Sequence, residues 1–92
     1  MITAIVMVNC NVELIPEVAQ KIADIDGVIE VYSVTGDIDL IARVRVEEYD
    51  RLAEVVSDAI AKVPGVEKLS THLAFRAYSK SDLEEAFHLG LD

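Results

Sequence analysis

Hydrophobic and polar positions alternate with a period of two through residues 29–46, IEVYSVTGDIDLIARVRV. Before Gly36, Ile29, Val31 and Ser33 alternate with Glu30, Tyr32 and Val34. After Asp39, Leu40, Ala42, Val44 and Val46 alternate with Ile41, Arg43 and Arg45. Such runs predict strands over residues 28–35 and 39–46, and a Gly-Asp pair between them predicts a hairpin turning at Thr35-Gly36-Asp37. Thr35, Gly36, Asp37 and Asp39 are the most polar short cluster of an otherwise apolar segment, so a small ligand is sought there first. Residues 2–10 alternate as well, with Ile2, Ala4, Val6 and Val8 on one side and Thr3, Ile5, Met7 and Asn9 on the other. Both sides are partly apolar, which predicts a strand covered on both faces. Residues 66–78 predict a last long strand, with Leu69, Thr71, Leu73, Phe75 and Ala77 alternating against Ser70, His72, Ala74, Arg76 and Tyr78.

Between the strands the period changes to that of a helix. Ile15, Val18, Ile22 and Ile25 mark one face of a helix with its entry over residues 11–26, with Pro16 in the first turn and Gly27 as the stop. Tyr49, Leu52, Val56, Ile60 and Val63 mark the inner stripe of a second helix over residues 47–63, stopped by Pro64-Gly65. Ser81 and Glu84 fit a capping box that opens a short C-terminal helix over residues 81–92, with Leu83, Phe87 and Leu91 as its apolar stripe. Asp26-Gly27-Val28 and Pro64-Gly65-Val66 close the two helices alike, a weak internal repeat of strand, helix and strand. The fold class expected is α+β: a ferredoxin-like βαββαβ sandwich with a short C-terminal helix, of the dimeric α+β barrel type. Right-handed crossovers place both helices on one sheet face. The other face is expected to carry Ile5, Met7, Tyr32, Val34, Ile41, Ala74 and Tyr78. An apolar face this broad predicts an obligate homodimer, sheet against sheet.

Ninety-two residues set one domain, with a core over residues 1–79 and the terminal helix over residues 81–92. Composition adds a reason for association: 52% of the residues are hydrophobic, more than a lone small α/β domain needs. With 8 basic against 17 acidic residues the formal net charge is −9, which argues against direct binding of nucleic acid or an anionic membrane. Cys10 is the lone cysteine, so neither an intrachain disulfide nor a cysteine-based zinc site is expected; it reads as a small buried hydrophobe. The N-terminus lacks the basic region of a signal peptide, and no apolar run is long enough to span a membrane. The expected location is the cytoplasm.

No catalytic constellation is visible, and no cofactor or metal site is expected. Asp37 and Asp39 without further clustered oxygens do not make a calcium loop, and both also suit plain turn positions. His72 has no serine or cysteine nucleophile pattern around it and reads as an interface histidine; His88 reads as a surface residue. Arg43, Arg45 and Arg76 share the open face by alternation, to pair with Glu30 or across the dimer; no glycine-rich loop accompanies them as a phosphate site would want.

Gly27-Val28, Tyr32, Val34-Thr35-Gly36, Asp37-x-Asp39, Pro64-Gly65-Val66 and Ser70-Thr71 together resemble the C-terminal domain of the Lrp/AsnC family of amino-acid-responsive transcription regulators. That domain, called RAM, covers nearly the whole chain in this resemblance. Full-length members begin with a helix-turn-helix domain; this sequence begins at the first strand, which implies a stand-alone RAM protein that does not read DNA itself. The resemblance implies dimers that pack through their sheets and assemble into rings, often octamers, with an amino-acid effector at dimer–dimer contacts near the hairpin. Carried over, it implicates Thr35, Gly36, Asp37 and Asp39, with Ser70, Thr71 and His72 from a neighbouring subunit, and Tyr32 beside them. An aspartate can hold the ammonium of an amino acid, while backbone N–H near Gly36 and the hydroxyls of Ser70 or Thr71 can hold its carboxylate.

Three functions follow as expectations. The first is an amino-acid-binding oligomer that senses amino acids or modulates full-length Lrp/AsnC regulators by co-assembly. The second is a small cofactor-free monooxygenase or isomerase on a dimeric α+β barrel, against which stand two histidines, no tryptophan and sparse aromatics. The third is an oligomerisation adaptor without a small ligand. The non-enzymatic readings fit the residues better.

Overall fold

The alternation of residues 2–10 becomes β1 (Ile2–Cys10), an inner strand in this computed structural model, which describes residues 1–80. Ala4, Val6, Val8 and Cys10 are buried, while Thr3, Ile5, Met7 and Asn9 are half-covered. A 3₁₀ turn at Val12–Leu14 leads into α1 (Ile15–Ala23), its Asn11 side chain accepting the N–H of Glu13. Strands β2 (Val28–Ser33) and β3 (Leu40–Val46) follow. The second helical segment opens as α2 (Tyr49–Ala53), widens into π-helical turns over Glu54–Ala59 and tightens to a 3₁₀ turn at Ile60–Lys62. Strand β4 (Val66–Ala74) ends the sheet, whose order is β2-β3-β1-β4 with every pairing antiparallel. This is the expected ferredoxin-like order: the two β–α–β units interleave, and both helical segments pack on one face.

One cluster forms the core. Val6, Val8, Leu40 and Val44 from the sheet meet Val18 and Ile22 of α1 and Leu52, Val55 and Ile60 of the second helical segment. The internal repeat has a packing counterpart. Gly27 and Gly65 both take positive φ, +100° and +101°, at the stops of their helices. Each lies against a valine of the other helical segment: a Cβ on Gly27 would sit 2.9 Å from Val55 Cγ2, and one on Gly65 would sit 2.8 Å from Val18 Cγ2. Their carbonyls are also used, by the N–H of Arg45 and the N–H of Asn11 respectively.

Several sequence expectations need correction. The pairing register shifts between Val28 and Glu30, so Ile29 is an extra residue that bulges outward and is exposed. Val28 and Val31, opposite Val44 and Ala42, are the core-facing positions instead. A bulge breaks simple alternation. Tyr49 is not part of the inner stripe; it is 62% exposed, and Val55 sits in the core instead. Strand β4 stops at Ala74, short of residue 78, so Arg76 and Tyr78 lie beyond the sheet rather than on its open face. Val34 likewise falls outside β2. Phe75, just past β4, is 95% exposed. The terminal helix expected over residues 81–92, with Leu83, Phe87, His88 and Leu91, lies outside the described residues. Among the described residues no helix is long and apolar enough to cross a membrane.

Candidate functional site

The polar cluster of the hairpin does not form a minimal turn between β2 and β3. Residues 34–39 close on themselves through the Val34 N–H, which donates to the Asp39 carbonyl at 3.1 Å, and then lean over the end of β1. The Asp39 N–H donates to the Val8 carbonyl at 3.1 Å. The Asp39 carboxylate accepts the Cys10 N–H at 2.9 Å, and Asn9 Nδ2 donates to the Asp37 carbonyl at 2.6 Å. Long-range bonds to β1 therefore set the loop's shape, which is why neither β2 nor β3 extends into it. Gly36 takes φ +105° at the tip with open space around it.

These bonds divide the roles of the two aspartates. Asp39 is half-buried and its carboxylate ties down a backbone N–H. Asp37 is exposed; its carbonyl is held, and its carboxylate makes no hydrogen bond or ion pair among the described residues. Beneath Asp39 lies the buried Cys10 thiol, whose pKa is pushed up by burial first and by the charges of Asp39 and Glu67 after it. The folded state thus holds the thiol proton more tightly than the unfolded chain. Its contribution to stability is complete below the ordinary thiol pKa of about 8.5 and is lost as pH rises through the folded value. Urea midpoints measured from neutral to alkaline pH should fall more steeply for the wild type than for Cys10→Ala. Parallel curves would remove the thiol from the account.

The strand register sorts the remaining candidates by face. Tyr32 pairs with Ile41, Ile41 with Met7, and Met7 with Ser70, which makes one row across the open face. Glu30, Arg43, Ile5 and His72 make the next. Within these rows Glu30 accepts from both the Tyr32 hydroxyl and the Arg43 guanidinium. The Tyr32 hydroxyl first, and the charge of Glu30 with it, hold the Arg43 pKa above its ordinary value. Ser70 Oγ and His72 Nε2 are 3.3 Å apart. Among the described residues no carboxylate bonds the other His72 nitrogen, the orienting contact a serine nucleophile needs. Thr71 points the other way. It pairs with Val6 on the helix-covered face, so the structure separates it from Ser70 and His72.

Thus Tyr32, Ser70 and His72 share the open face, the hairpin residues stand over its end, and Thr71 is apart. Sequence reading missed Asn9, which clamps the tip, and Lys68, which pairs with Asn9 on the same face. The signal available was parity: Asn9 is the polar end of an otherwise apolar alternation.

A charged cleft of about 470 Å³ opens at the far end of β1 and β3 from this hairpin, lined by Asp26, Arg45, Glu48 and Arg51 among others. Arg51 there bonds Asp26 at 3.4 Å and Glu54 at 2.6 Å and so braces α2 against the α1–β2 turn. None of the candidate residues lines it. Among the described residues no group of three or more His, Cys, Asp or Glu is placed to hold a metal ion.

Residues 3–83 match the family model of the Lrp/AsnC ligand binding domain. The chain belongs to the Lrp/AsnC family. It is 28% identical over 78 residues to the HTH-type transcriptional regulator FL11 of Pyrococcus horikoshii, covering 85% of this chain and 51% of that protein. It is 35% identical over 78 residues to the HTH-type transcriptional regulator LysM of Sulfurisphaera tokodaii, covering 84% of this chain and 55% of that one. This Lrp/AsnC chain therefore spans about half the length of these curated relatives. Among solved structures, TTHA0845 from Thermus thermophilus superposes with a TM-score of 0.81 at 42% identity, over 87% of this chain and 100% of its own. The curated relatives are named as transcriptional regulators, and the Lrp/AsnC family is regulatory.

Proposed function

We propose that this Lrp/AsnC domain binds a free amino acid at the end of its open sheet face and acts on transcription through assembly, without touching DNA itself. The observation that carries this reading is the Asp37 carboxylate, unpaired among the described residues and presented at a hairpin tip whose position Asn9 fixes. An exposed, anchored carboxylate suits a ligand ammonium through a charge-assisted bond. Thr35 and Gly36 beside it offer a hydroxyl and an approachable backbone. Ser70 and His72 of a neighbouring subunit, with Tyr32, complete the site; Thr71 enters only if a neighbour meets the other face.

Assembly follows from the open face. Ile5, Met7 and Ile41 are half-exposed there and Tyr32 is 44% exposed. The apolar row stacks on the same row of a second copy, and dimers join into a ring such as an octamer. Co-assembly with longer Lrp/AsnC regulators transmits the bound state. The net charge of −9 favours protein partners over DNA. The same open face also favours a second reading, a ligand-free oligomerisation adaptor.

A thermal-shift screen against the twenty amino acids, with mass measured by light scattering, separates the two. A ligand that binds only the folded state raises the midpoint by mass action, by about 2.7 kcal/mol at a hundredfold excess over Kd. A shift with one or a few amino acids and a mass several times that of the monomer is expected. A stable oligomer with no shift at millimolar concentration would leave the adaptor.

A further inference from the structure

We infer that Lys68 is the specificity residue for the ligand's α-carboxylate, working across Asn9 from Asp37; this rests on the amino-acid reading above. The argument begins with register. Asn9 and Lys68 are directly opposed on β1 and β4, so their side chains stand on one face, with Cβ atoms about 5 Å apart by the geometry of such pairs. On its other side Asn9 reaches the hairpin, with Nδ2 2.6 Å from the Asp37 carbonyl. One short amide therefore has an aspartate on one flank and a lysine on the other. Neither charge is paired with another side chain among the described residues.

An amino acid carries an ammonium and a carboxylate on one carbon. A site for it must offer both signs within a few ångströms, at the same depth, and not yet neutralised by each other. Asp37 alone answers half of that demand. Hydroxyls and backbone N–H could hold the carboxylate, but they would do so in an acidic setting, since Asp37, Asp39 and Glu67 crowd this end of the sheet. A bare carboxylate approaching them is repelled. The register places Lys68 here to reverse that field. The other cations of the open face lie further along: Arg43 stands in the Ile5 row beside Glu30, and Arg45 in the Thr3 row. Asn9 holds the tip, and its side-chain oxygen remains a candidate acceptor for the ammonium. Ser70, two residues on from Lys68, lies on the same face, so the donor to the carboxylate from a neighbouring subunit and Lys68 act together.

This placement predicts discrimination by the α-carboxylate rather than by the side chain. The probes are the twenty amino acids and their α-carboxamides, which keep the ammonium and lose the carboxylate charge. Midpoint shifts and titration calorimetry compare wild type with Lys68→Met, Lys68→Arg and Asp37→Asn. The wild type should bind the responsive amino acid at least tenfold more tightly than its amide. Lys68→Met should erase that difference by weakening the acid alone, and Lys68→Arg should retain it. Asp37→Asn should weaken acid and amide together. Lys68 is exposed, so the ligand-free melting point of Lys68→Met should match the wild type and keeps the test readable. If Lys68→Met binds the amino acid as the wild type does, the Lys68 assignment is overturned while the amino-acid reading stands. If no acid or amide binds any variant, that reading fails and the assignment goes with it.

Discussion

Gly65→Ala should destabilise the fold by roughly 2–5 kcal/mol, the sum of a left-handed backbone penalty of about 1–2 and an overpacking penalty of about 1–3. The new methyl would meet Val18 Cγ2 at 2.8 Å and Leu14 Cδ1 at 3.3 Å. Val18 is only 1% exposed and packs in the core, so it has no free direction in which to yield. Gly27→Ala should behave alike, since Val55 Cγ2 stands 2.9 Å away and is equally enclosed. Against a total stability of about 5–15 kcal/mol, either change removes a large share. Gly36→Ala is the control. It shares the positive φ but meets nothing within 4 Å, so only the backbone term of about 1–2 kcal/mol remains. Urea unfolding of the three variants should rank Gly65 and Gly27 well above Gly36. Equal costs at all three positions would mean that backbone strain, and not the packing of each stop against the opposite helical segment, sets the energy.

The two stops also show what a linear reading can reach. Gly27-Val28 and Gly65-Val66 are legible as helix ends because a left-handed residue is a local demand. Strand order and the covered face follow from alternation plus handed crossovers, and β1 and β3 obey it throughout. That each glycine fits against a valine of the other helical segment is invisible in sequence, because it depends on how two helical segments meet. The same boundary separates success from failure elsewhere. Ile29 looks like a core residue by parity, and only the register opposite β3 reveals the bulge. Tyr49 satisfies a helical stripe, yet it stands at the first turn and remains exposed, with Leu52 as the first buried residue of that segment. The hairpin cluster was legible as a polar loop, and so as a candidate, because polar residues interrupt an apolar run. The division of labour inside it was not, because the deciding partners, Asn9 and Cys10, lie nearly thirty residues upstream, 28 from Asp37 and 29 from Asp39 respectively.

That division makes the second large effect a matter of which aspartate is changed. Asp39→Ala should cost about 1–3 kcal/mol, the range for leaving a half-buried donor without its acceptor, here the Cys10 N–H. The loop would also lose one of its three bonds to β1, so ligand affinity should fall along with stability. Asp37→Asn should leave the urea midpoint unchanged. Its backbone carbonyl still accepts from Asn9, and its carboxylate makes no bond among the described residues. Its effect should appear in ligand binding alone, as a loss of tenfold or more if a charge-assisted bond worth about 1.5–3 kcal/mol is replaced by a weak neutral contact. Asp39→Asn tests the intermediate case: it keeps a side-chain oxygen for the Cys10 N–H and removes the charge, so most of the stability should survive. Unfolding and titration on the same three proteins therefore read two axes at once. Asp39→Ala should move on both, and Asp37→Asn on binding only. A drop in stability for Asp37→Asn equal to that of Asp39→Ala would mean that both carboxylates serve the turn, and the ligand would then have to be sought elsewhere on the open face.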